Sequence, residues 1–154
     1  MNPFHMALGL LLMPVAALAQ SGKSPQFINP PESPKPPGYT HAVVVSGNKL
    51  VYLSGQVALN AHGDLVGKDD FRAQVTQVFE NIKSVLSAAG TSPAHLIKIN
   101  YFVVGLDPDK LKIIREIRDR YVNTAEPPAS TLVGVQHLFR EGFDIEIEGV
   151  AVIP

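Results

Sequence analysis

Apolar residues recur along this chain with two periods. Phe71, Val75, Val78, Phe79, Ile82, Val85, Leu86 and Ala89 follow one another at spacings of three and four. That spacing predicts one face of a helix. Asp69-Asp70 opens it, and Gly90 supplies the stop. A second helical stripe, Leu111, Ile114, Ile117 and Tyr121, follows Asp107-Pro108. Asp107 suits a cap and Pro108 the first helical position. Lys110, Arg115, Arg118 and Arg120 fall largely on the other faces, and Pro127-Pro128 ends the helix. Elsewhere the period is two. In residues 95–104, Ile97, Ile99, Tyr101 and Val103 form one face, interrupted by Lys98 and Asn100 on the other. Residues 131–138 read as a further strand, and in 143–153 Phe143, Ile145 and Ile147 alternate with Asp144, Glu146 and Glu148. In 42–56 two apolar runs flank Ser46-Gly47-Asn48-Lys49, a hairpin signal, and the second run ends at Ser54-Gly55-Gln56.

The resulting order, ββαβαββ, predicts an α+β fold in which two helices cover one face of a mixed sheet. The other face, rich in Val, Ile, Leu and Tyr, is left bare. An apolar sheet face of that size is usually buried in an oligomer.

Two segments precede this domain. Residues 7–19, ALGLLLMPVAALA, are apolar, uncharged and end in Ala17-Leu18-Ala19. The run is shorter than the roughly 20 residues of a membrane-spanning helix. It reads as an export signal cut after Ala19, although Met1 to Met6 include no Lys or Arg. The mature chain is then expected to be periplasmic or secreted. Residues 20–38 contain six prolines, which exclude a helix or a central strand and predict an extended arm. The folded domain is expected over 39–154.

Composition removes several chemistries. The 154 residues include 13 basic and 14 acidic side chains, so no basic field draws the chain to nucleic acid or to a membrane surface. With no cysteine there is no disulfide, thiolate nucleophile or Cys-based zinc site. The five histidines lack metal-site spacings. No phosphate-binding glycine loop and no nucleophile elbow occurs. By spacing, Ser54-Gly55-Gln56 reads as a strand end where a glycine permits close backbone approach. Glu146 and Glu148 share a strand face, where carboxylates either meet solvent or do acid–base work in a cleft.

Four segments in order, Pro37-Gly38-Tyr39, Val51-Tyr52-Leu53-Ser54-Gly55-Gln56, Pro128-Ala129-Ser130-Thr131 and Ile145-Glu146-Ile147-Glu148-Gly149-Val150-Ala151-Val152, resemble the RidA/YjgF family of imine deaminases. The resemblance covers about residues 37–153. It implies a chorismate-mutase-like fold and a homotrimer with small imine or carbonyl ligands bound in clefts between subunits. It also implies hydrolysis of 2-imino acids to 2-oxo acids and ammonia, without metal or cofactor. By the same resemblance Glu146 places the attacking water, while Tyr39, Ser54, Gly55 and Thr131 line the pocket. The arginine that grips the substrate carboxylate is missing: Ser130 fills its slot, and the family's small residue at 132 and its asparagine near Arg115 are also replaced. Losing such a charged pair costs on the order of 2–5 kcal/mol. Arg115, Arg118 or Arg140 is then a candidate replacement, unless the substrate lacks a carboxylate. A non-catalytic binding or protein-protecting module, and an oligomer with a vestigial cleft, are the competing readings.

Overall fold

The computed structural model describes residues 23–31 and 36–154. The expected export signal, residues 7–19, lies outside the described residues. The strands are β1 (Lys23–Ile28), β2 (Ala42–Ser46), β3 (Lys49–Gln56), β4 (Leu96–Val104), β5 (Ala129–Val135) and β6 (Ile145–Ile153), and the helices are α1 (Phe71–Ala88) and α2 (Pro108–Arg118). The architecture is α+β. A mixed four-stranded sheet runs β3-β6-β4-β5, and a separate two-stranded sheet pairs β1 with β2. β6 lies antiparallel to both β3 and β4, whereas β4 and β5 are parallel. A parallel pair needs a crossover connection, and α2 provides it.

The period-two faces divide as expected. Ile99, Tyr101 and Val103 of β4, and Ile145, Ile147 and Ala151 of β6, are buried against Val75, Val78, Phe79 and Ile82 of α1 and Ile114 and Ile117 of α2. Each such aliphatic side chain contributes about 1.5–3 kcal/mol when buried. Asp70 caps α1 by accepting from the Ala73 N–H at 3.0 Å, and Asp107 caps α2 by accepting from the Lys110 N–H at 2.7 Å. Gly90, with φ 81°, follows the end of α1. Within the α1 stripe, Val85 is exposed instead of buried.

Three details of the sequence reading change. First, the described residues include one more strand than expected, and the β2–β3 hairpin does not form. Gly47 does turn with φ 73°, but β2 pairs with β1 while β3 pairs with β6. The burial pattern gives the reason. Val51 and Leu53 of β3 lie opposite Ala151 and Gly149 in the core layer, whereas β2 is nowhere fully buried and takes the arm as its partner. Second, the proline-rich arm thus contributes a strand. Pro25 falls at the break in register between Lys23 and Gln26, where a missing N–H breaks no ladder bond. Third, α2 ends at Arg118, well before Pro127. Beyond it the Asn123 side chain accepts from the N–H groups of Ala125 and Glu126, a local bond that competes with helix.

Gln74, inside α1 and fully buried, ties the helix to the start of β6. Its Nε2 donates to the carbonyls of Gly67 and Gly142, and its Oε1 accepts from the Asp144 N–H.

Candidate functional site

The site builds from the alternation of β6. Ile145, Ile147 and Ala151 point to the helices, so Glu146 and Glu148 point to the opposite, open face. Beside β6, the register of β3 breaks between Leu53 and Gln56, and Ser54 and Gly55 form that irregularity. Gly55 lies directly under the Glu146 side chain. A Cβ there would overlap Oε1 outright, with Cδ at 2.7 Å and Cγ at 3.0 Å. The glycine is therefore the room that the carboxylate occupies. On the other flank Phe102 of β4 is in register with Glu146. A shallow groove of about 490 Å³ runs past Glu146 and Glu148, walled by Phe102, Val135 and Phe139.

A polar row crosses the same face one pair further along. Asn100 Nδ2 donates to Glu148 Oε1 at 2.8 Å, and Lys98 Nζ donates to Thr131 Oγ1 at 2.7 Å. Partial burial lowers the Lys98 pKa, and the Glu148 carboxylate acts in the opposite direction. Periodicity marked Lys98 and Asn100 as interruptions of a strand. It could not show that they hold Thr131 and Glu148. Around this row the open face is apolar: Tyr52 is 76% exposed, Phe139 72%, and Leu50 and Val133 are also exposed.

Ser130 and Tyr39 lie elsewhere. Ser130 is in register with Ile99, a residue buried beneath the helices, so it shares the helix side of the sheet. β4 stands between its strand and β6, so the two backbones are about 10 Å apart. Tyr39 precedes Thr40, whose N–H donates to the Pro128 carbonyl at 3.2 Å and which bridges to Ala129. The Tyr39 ring meets His41 edge-on, with centroids 5.7 Å apart. Within one chain, then, Glu146, Ser54, Gly55 and Thr131 belong to the open face and its β3 border, while Tyr39 and Ser130 gather at the β5 edge, Ser130 on the helix side. The expected residues form two groups, not one pocket.

Of the three arginines considered for the missing charge, Arg118 lies against the second group, beside Tyr39. Its guanidinium packs on Gly38, where a Cβ would sit 2.5 Å from Nη2. Arg140 instead lies over the Phe143 ring at 4.6 Å. A second cavity, of about 480 Å³, lies between the arm and the start of β4, against Phe27, His95 and Val152; no expected site residue lines it. Among the described residues no group of three or more His, Asp or Glu side chains could hold a metal, and no helix is long and apolar enough to cross a membrane.

Comparison with known proteins agrees with this geometry. The family model described as endoribonuclease L-PSP matches residues 32–153. A RutC family protein of Aquifex aeolicus is 35% identical over 128 residues, covering 81% of this chain and 97% of its own. A 2-iminobutanoate/2-iminopropanoate deaminase of Dermatophagoides farinae is 33% identical over 129 residues, covering 83% and 96%. Among solved structures, a conserved Rid family protein of unknown function from Yersinia pestis superimposes with a TM-score of 0.74 at 36% identity, covering 83% of this chain and 98% of that one. A sheet of this order, a glycine beneath a strand carboxylate and a match over nearly the whole folded region place the chain in the RidA/YjgF family, to which it belongs.

Proposed function

We propose that this protein hydrolyses small imines or enamines in clefts formed between copies of the chain. The observation that carries this reading is Glu146, a strand carboxylate seated over Gly55 beside an open apolar groove. The similarity to a protein named as a 2-iminobutanoate/2-iminopropanoate deaminase supports it. The chemistry needs little. Protonation of the imine nitrogen makes its carbon electrophilic. Water adds to that carbon, and Glu146 accepts the proton the water gives up. The proton passes to the nitrogen of the carbinolamine. Ammonia departs as the C–N bond breaks, and the hydroxyl proton passes to the Glu146 carboxylate, leaving a carbonyl.

The homotrimer is part of the proposal. Its support is the exposed apolar face around Tyr52 and Val133, together with the separation of the two residue groups. A second copy can bring the Tyr39 and Ser130 group of one chain to the Glu146 group of another. Export, with cleavage after Ala19, is proposed from residues 7–19. An exported protein is remote from most sources of unstable imino acids, and Ser130 replaces a carboxylate grip. Both favour a second reading, a module that binds a small carbonyl compound without turnover.

The deciding assay uses the purified protein and 2-iminopropanoate generated in place by an amino-acid oxidase. Faster ammonia release that disappears in Glu146→Gln is the expected result. No acceleration from folded protein leaves the binding reading. Acceleration that persists in Glu146→Gln removes this residue from the mechanism.

A further inference from the structure

We propose that Arg118, at the end of α2, receives the carboxylate of this protein's ligand beside Gly38 and the start of β5. The inference rests on the reading above that a small carbonyl or imine compound is bound, and adds that the ligand is an anion.

Three observations converge. The Arg118 side chain is only 11% exposed, unusual for a guanidinium on a helix this small. It is held there because Gly38, with φ 86°, leaves it room: a Cβ would lie 2.5 Å from Nη2 and 3.2 Å from Cζ. Next, its acceptors are too few. Nε and Nη2 both engage one atom, Asp119 Oδ1, at 2.8 and 2.6 Å, and Asp119 is itself half exposed. Nη1 makes no hydrogen bond among the described residues. A guanidinium offers five donors in a planar fork. Finally, two buried hydroxyls stand without partners, Thr40 Oγ1 and Tyr101 Oη. Unpartnered buried side chains are rare. Thr40 bridges to Ala129, the residue before Ser130, and the charges of Arg118 and Asp119 both act on the Tyr101 hydroxyl.

Among the described residues, Asp119 is the one carboxylate that Arg118 engages, and the fork keeps donors in excess. A compact anion corrects that balance. A carboxylate suits it best, because two oxygens accept in parallel from a planar fork. Arg118 could then do from the helix what Ser130 cannot do from the strand.

The test measures binding of 2-oxobutanoate, a stable carbonyl analogue, and of its neutral amide, by calorimetry on the purified protein. Arg118→Gln should weaken 2-oxobutanoate by about 30-fold or more and leave the amide unchanged. Ser130→Arg added to Arg118→Gln should restore the anion. Asp119→Asn, at a half-exposed position tolerant of change, should tighten 2-oxobutanoate by removing a competing carboxylate. Equal loss of both ligands in Arg118→Gln would mark a structural role and overturn the proposal. So would unchanged anion affinity in Arg118→Gln and Asp119→Asn, or a parent protein that does not prefer the acid to the amide. These readouts involve no turnover. Arg118-dependent binding without Glu146-dependent ammonia release sinks only the hydrolase reading, and the converse sinks only this one.

Discussion

Adding one methyl group at Gly55 should cost most of the activity while leaving the fold intact. In Gly55→Ala the new Cβ would overlap Glu146 Oε1 and stand 2.7 Å from Cδ, closer than such atoms approach. The carboxylate must therefore retreat by on the order of 1 Å. A misplacement of that size costs about 100-fold in rate, or about 2.7 kcal/mol of transition-state stabilisation. The backbone has little reason to object. Gly55 has no positive φ and is exposed, so alanine brings no strain. Melting temperature should change little, and ammonia release from 2-iminopropanoate should fall about 100-fold. The double variant with Glu146→Gln should be no worse than Glu146→Gln alone, because both changes remove the same group. Full activity in Gly55→Ala would refute the reasoning, since the carboxylate would then work from a position that this contact does not set. Additive losses in the double variant would refute it differently, by giving Gly55 a role of its own.

Other consequences can be checked independently. Gln74→Leu leaves the Asp144 N–H and the Gly142 carbonyl without this partner, while the Gly67 carbonyl keeps the Asp70 N–H, and should destabilise the protein by about 2–3 kcal/mol, read by urea denaturation. On the open face, Tyr52→Glu should yield a smaller species by light scattering and abolish ammonia release; an unchanged mass would remove this face from the assembly. Burial and a hydrogen bond to Glu80 push the Tyr121 phenol up to about 12, above its unfolded value of about 10. The folded state thus keeps a proton that the unfolded state loses. The associated stability is present below pH of about 10 and disappears as pH rises toward 12. Tyr121→Phe should flatten that alkaline limb. The same hydrogen bond holds the Glu80 carboxyl below its usual range. Its stability is present above the unfolded pKa and is lost in acid, so Tyr121→Phe should soften the acid limb too.

Much of this architecture was legible in the chain because period and burial coincide. The stripe from Phe71 to Leu86 and the alternations of β4 and β6 each have one buried side, and a one-residue slip would have exposed it. The caps at Asp70 and Asp107 were legible for the same local reason. What escaped depends on partners distant in sequence. Pairing of β2 with an arm strand, instead of with β3, is decided by β6, about a hundred residues away, which gives Val51 and Leu53 a core to face. Gln74 looked like a polar gap in a helix; its three partners lie in loops that no periodicity connects. Gly38 and Gly55 were visible as glycines in short motifs. The groups they make room for, Arg118 and Glu146, come from elements 80 and more residues onward.

Those two glycines also explain why the site resists reading from one chain. Gly55 admits a carboxylate to the open face, and Gly38 admits a guanidinium to the helix side near the β5 edge. A base that activates water and a cation that holds an anionic ligand must act within a few ångströms of one molecule. A single sheet keeps them on opposite faces, with β4 between. If both serve one ligand, they must come from different copies, and catalysis is tied to assembly. Mixing then gives a direct test. Glu146→Gln protein, expected to be inactive, and Arg118→Gln protein, expected to be impaired at low substrate, should regain activity when unfolded together and refolded, because some mixed assemblies contain a cleft with both native residues. Activity that never reappears, from mixed assemblies confirmed by mass, would place the two groups in the same cleft contribution and break the argument.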